Sequence, residues 1–90
     1  MYYYVYLILS KSTKKNISYV GYTNNLINRI KKHNSSSGAK FTRGRKWRII
    51  YSKKYYSKSI ALKEEYKLKK DYKKRKIIKI NYLLKNEKAT

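Results

Sequence analysis

The chain has 90 residues, with 25 Lys plus Arg against 4 Asp plus Glu, a formal charge of +21. That length allows one domain around one core, and the absence of cysteine excludes thiol catalysis, Cys-ligated zinc and a disulfide scaffold. Charge of this sign and size attracts polyanions, of which nucleic acid is the commonest in a cell, with anionic membrane the rival.

Tyr2 to Leu9 is built of Tyr, Val, Ile and Leu and reads as a strand. It is too short to span a bilayer and lacks the basic start and cleavage site of a signal peptide, so a cytoplasmic location without a membrane partner is expected. Ser10 to Asn16 is a polar turn, and Ile17 to Tyr22 a second short strand, which together make a hairpin. Asn24 or Asn25 caps a helix over Leu26 to His33, with Leu26 and Ile30 on its apolar stripe. Asn34 to Lys46 is a loop that starts with serines and ends basic. Trp47 to Tyr51 is a third strand. Ser57 or Ser59 caps a helix over about Lys58 to Lys70, in which Ala61, Glu65 and Leu68 share a face. A last helix, about Tyr72 to Lys85, carries Ile77, Ile80 and Leu84 on one stripe. The expected fold is α+β: a small three-stranded antiparallel sheet flanked by helices, in the order β-β-α-β-α-α, with the first strand in the middle. Residues 1–85 form the single domain and 86–90 a frayed tail.

Four groups of residues suit phosphate chemistry. Tyr6 and Tyr19 sit in partner strands of one hairpin, where they can share a face. A tyrosine is a poor base at its usual pKa, and the many cations here are expected to lower it. Arg29 and His33 are four apart and project from one helix face, the arginine fork being suited to phosphate. The loop Gly38-Ala-Lys-Phe-Thr-Arg-Gly-Arg-Lys-Trp47 places the cations Lys40, Arg43, Arg45 and Lys46 beside Phe41 and Trp47, which are available to stack on bases. Glu65 stands out as a carboxylate on a buried helix face in a chain with few acids, and needs a cation or metal partner. Lys69, one turn on, is the simpler of those partners.

Taken in order, Tyr4-Val-Tyr-Leu-Ile8, Tyr19-Val-Gly-Tyr-Thr23, Asn25-Leu-x-x-Arg29-x-x-x-His33-Asn34, Gly38-Ala-Lys-Phe-Thr-Arg-Gly44 and Ala61-Leu-x-x-Glu65 resemble the compact single-domain branch of the GIY-YIG endonuclease superfamily. The resemblance covers Tyr3 to Lys79. Tyr4-Val5 stands where the family name has Gly-Ile, and Val20 replaces Ile, but both tyrosine hydroxyls are kept. The resemblance implies a one-metal endonuclease that hydrolyses phosphodiester bonds, in DNA ahead of RNA, in repair or processing. Glu65 would hold Mg²⁺ or Mn²⁺, Tyr6 act as general base, Tyr19 position the water, Arg29 stabilise the pentacovalent phosphorus, and His33 assist by hydrogen bonding to phosphate or to the tyrosine. Asn81 matches a downstream asparagine used by many members. With no targeting domain in its length, such a chain would act as a monomer, weakly specific, structure-selective or guided by a protein partner. The alternative is a basic nucleic-acid-binding protein without catalysis, for DNA or for RNA, the latter in association with ribosomes or in RNA packaging.

Overall fold

The computed structural model describes residues 1–12, 15–35, 40–42 and 44–89, and the side chains of these up to residue 85. The Gly38–Ala39 pair and Arg43 lie outside the described residues. The central strand is β1 (Tyr3–Ser10), flanked by β2 (Ile17–Thr23) and β3 (Arg48–Tyr55), both antiparallel to it. The sheet order β2-β1-β3 and the α+β architecture are those expected. Every residue of β1 from Val5 to Ser10 is buried, because both faces of the middle strand are covered.

One face carries Val5, Leu7 and Val20 and packs on Ala61 and Leu68 of α2 (Lys58–Lys70), with Ile78 of α3 (Tyr72–Ala89) at its margin. The other carries Tyr6 and Ile8 and packs on Trp47 and on Leu26 and Ile30 of α1 (Leu26–Asn34). Full burial of a side chain such as Leu7 contributes roughly 1.5–3 kcal/mol. A domain of this size is stable by only about 5–10 kcal/mol, so each of the two small cores is indispensable.

Capping side chains set the helix ends. Asn25 accepts from the Asn28 amide at 3.1 Å and starts α1. Ser57 does the same for α2 with the Ile60 amide. Asp71 has two roles: its amide closes the end of α2 on the Lys67 carbonyl, and its carboxylate accepts from the Lys74 amide at 3.0 Å to open α3. The guanidinium of Arg75 then donates to the Leu68 and Lys69 carbonyls at 3.0 and 3.1 Å, satisfying the open end of α2.

Four features differ from the sequence reading. β3 runs on to Tyr55, since Tyr3 to Tyr6 of β1 offer it partners and an outer strand tolerates the polar run Ser52-Lys53-Lys54. β3 also bulges: Leu7 faces Tyr51 while Ile8 faces Ile49, so Ile50 is an extra residue. The bulge lets Ile50 and Tyr51 both pack on the α2 side while Ile49 packs on the α1 side. In α3 the stripe Ile77, Ile80 and Leu84 is exposed, and Ile78 faces the core instead. The orientation of α3 is dictated by the Asp71–Arg75 joint rather than by its own weak periodicity. The helix continues to Ala89, past the expected tail boundary at Lys85, because no glycine or proline stops it.

Candidate active site

The hairpin register pairs Tyr6 with Gly21 and Ile8 with Tyr19. Paired residues point to the same side, so Tyr6 and Tyr19 share the α1 face, as expected. Gly21 has a specific reason to be glycine. A Cβ there would stand 2.6 Å from Cζ of Tyr6 and collide with its hydroxyl. The Tyr6 ring therefore lies across β2 at the one residue without a side chain. That carries the hydroxyl from the middle strand out over the edge strand.

His33, from the last turn of α1, meets it there. The Tyr6 hydroxyl lies 2.8 Å from His33 Nε2, and Thr42 Oγ1 lies 2.8 Å from Nδ1. His33 is 1% exposed and Tyr6 2%, so this is a buried chain of three groups. A neutral imidazole has one N–H, so one nitrogen accepts and the other donates. Either Tyr6 donates to Nε2 while Nδ1–H donates to Thr42, or the order is reversed. The ring of Tyr19 stands edge-on to His33, centroids 5.4 Å apart.

Burial is the largest influence on Tyr6 and holds its phenol above the usual range; Tyr19 pushes the same way, Arg29 pulls back, and Glu65 adds a smaller upward push. This corrects the expectation that cations would lower it, since the cost of an unsolvated phenolate exceeds the attraction of the one arginine it feels. Burial, followed by Arg29, holds His33 below its ordinary 6.5, so the imidazole is neutral at pH 7. Tyr6 thus feels Tyr19, Arg29 and Glu65, and His33 feels Arg29.

Glu65 comes from the α2 side of the sheet. Its side chain is 17% exposed, and Lys69 Nζ stands 3.6 Å from it. An i,i+4 pair with a half-exposed lysine is worth only about 0.3–0.5 kcal/mol, so another cation displaces it readily. Among the described residues no three His, Asp or Glu side chains gather as metal ligands. A single carboxylate still suits Mg²⁺, which keeps several waters and takes substrate phosphate as ligand.

The loop residues separate into two kinds. Trp47 is 3% exposed and donates from Nε1 to the Thr42 carbonyl at 2.8 Å. It is core and not a base-stacking residue, because its bulk fills the space between β1 and α1. Asn34 completes the anchorage, accepting from the Trp47 amide at 2.6 Å and donating to its carbonyl at 3.1 Å. Phe41, in a 3₁₀ turn over Lys40–Thr42, is exposed and stacks on Tyr19. Lys40 and Lys46 are exposed and Arg45 half-exposed on this loop. Asn81 is exposed on α3, which packs chiefly on α2 and β3. Thr42, Gly21 and Asn34 were quoted in the motifs without a role. Their glycine, hydroxyl and amide gain one only from the register and the loop path.

The GIY-YIG catalytic-domain profile matches residues 2–79. The chain belongs to the GIY-YIG family, whose members are endonucleases, and its domain is accordingly of nuclease type with nucleic acid as the implied substrate. Its relatives are small UPF0213 proteins. UPF0213 protein OB0043 of Oceanobacillus iheyensis is 43% identical over 67 residues, 73% of this chain and 74% of the relative. UPF0213 protein CPE1444 of Clostridium perfringens is 43% identical over 68 residues, 74% of this chain and 70% of the relative. The solution NMR structure of UPF0213 protein BH0048 from Bacillus halodurans is 38% identical and has a TM-score of 0.48, covering 89% of this chain and 85% of that one.

Proposed function

We propose that this protein is a divalent-metal-dependent endonuclease that hydrolyses phosphodiester bonds in DNA, in repair or processing, with Mg²⁺ or Mn²⁺ held at Glu65. The observation that carries the reading is the buried Tyr6–His33–Thr42 chain, whose tyrosine feels both Arg29 and Glu65. A packing tyrosine needs no such company.

A neutral phenol cannot simply accept a proton. Tyr6 serves as base by giving its own proton to His33 Nε2 while its oxygen takes one from the attacking water. His33, neutral at pH 7, is able to receive it. Nδ1–H donating to Thr42 is the tautomer that leaves Nε2 open for this step. Tyr19 orients the water on the same face of β2. Arg29 supplies fixed positive charge to the phosphoryl oxygens as bonding to water grows and the bond to the leaving oxygen breaks. Glu65 would hold the divalent cation, which would supply Lewis-acid stabilisation to the phosphate and the departing oxygen. Lys40, Arg43, Arg45 and Lys46 hold the strand by its backbone, and a protein partner directs the domain to its target.

The test is a Mg²⁺-dependent cleavage panel of branched, single-stranded and duplex DNA with Glu65→Ala as control. Cleavage is expected to vanish in the variant while binding stays within about twofold, since removing one of few acids cannot weaken the hold of a +21 protein on a polyanion. Equal cleavage by both proteins would sink the assignment. Tight binding with no cleavage of any substrate would establish the binding-module reading instead.

A further inference from the structure

Resting on that nuclease reading, we infer that Phe41 and Tyr19 form a stacking subsite for one unpaired base of a DNA strand, beside the phosphate to be cut. The two rings are nearly parallel, 24° between planes with centroids 6.0 Å apart. Phe41 is nevertheless 58% exposed, so most of a large apolar ring faces solvent. It is also held firmly. The next residue, Thr42, is tied by its side chain to His33 and by its carbonyl to the Trp47 indole, so the backbone that carries the ring cannot move away without breaking two buried hydrogen bonds. An exposed aromatic that is both pre-positioned and stacked on a site residue is what a base-binding surface requires.

The surroundings fit a nucleotide. Ser18, Tyr19, Val20, Phe41, Lys69 and Arg75 line one open cleft along the β2 edge. Its aromatic wall is the Tyr19–Phe41 pair, and its opposite wall brings cations from the end of α2 and the start of α3. Arg75 donates from Nε and Nη2 to α2 carbonyls and keeps further N–H groups, so both it and Lys69 are cations for a phosphate. Lys69 is freed for it when a metal takes Glu65. A base within a duplex has both faces covered by its neighbours, so only an unpaired base offers a free face to Phe41. The substrate class is therefore a single strand, flap or loop rather than continuous duplex.

The measurement uses 2-aminopurine placed in a short single-stranded DNA, bound to full-length Glu65→Ala protein so that the strand stays whole. Binding should quench the probe. Adding Phe41→Leu, which keeps an apolar side chain but no plane, should abolish the quench and weaken single-strand affinity about 5- to 150-fold. Affinity for a fully paired duplex of equal length should be unchanged, and Phe41→Trp should keep both quench and affinity. Unquenched probe on the bound strand, or equal losses on single strand and duplex, overturns the subsite. Because the readout needs no cleavage, a protein that quenches the probe yet cuts nothing retains the subsite and loses the nuclease reading.

Discussion

His33 is the only histidine in the chain, and both of its nitrogens are engaged in the interior. Burial and Arg29 depress its pKa, so between that lowered value and the ordinary 6.5 the unfolded chain binds a proton that the folded one refuses. Stability must then rise with pH across this window and fall as pH drops through it. We expect the urea midpoint to decline from pH 7.5 to 5.5, and this decline to flatten in His33→Gln. A wild-type midpoint that is constant over the range would mean that the imidazole is not held neutral. Cleavage should hold through this window and decline only as pH falls through the lowered folded-state value, because protonated Nε2 cannot accept from Tyr6. At this scale the sequence brought forward candidate residues better than the surroundings that act on them. Arg29 and His33 were readable from helical spacing, and Glu65 from the scarcity of acids. The raised phenol of Tyr6 was not readable, because charge is a property of composition and desolvation a property of packing. Nor was the division of labour between Phe41 and Trp47, two aromatics six residues apart in one basic loop, of which one is buried and the other exposed.

Elements with strong local signals were legible: the hairpin, the Asn25 and Ser57 caps, and the apolar face of α2. Those settled by neighbours were not. The length of β3 depends on what β1 offers opposite Lys53 and Lys54, and the Ile50 bulge on the need to serve two cores at once. The inward face of α3 depends on Asp71 and Arg75, residues that a stripe-counting reading passes over. Asp71 closes one helix and opens the next, so its loss should affect both. Asp71→Ala is expected to cost about 1 kcal/mol, lowering Tm by roughly 4–8 °C for a domain of this size. Asp71→Asn or Asp71→Ser, which keep a capping oxygen, should recover most of it. Equal melting of Asp71→Ala and wild type would show that the carboxylate seen on the Lys74 amide contributes nothing.

For the whole molecule, charge is the dominant property. Binding to duplex DNA should fall steeply with salt: a footprint of about six phosphates gives a log–log slope of about −5. A flat response would reduce the lysines to composition without function. The same charge bears on the open side of β2. A strand at the rim of a sheet keeps unpaired backbone groups on its outer side, and such a rim invites a second copy to continue the sheet. For the proposed subsite the rim has to stay open, since the cleft with the Tyr19–Phe41 wall lies along it. Any two copies that approach rim to rim each bring +21 with them, so self-association is opposed over a distance of about a Debye length, ~8 Å at physiological salt. The lysines that draw in the substrate therefore also keep the entrance clear of the protein's own kind.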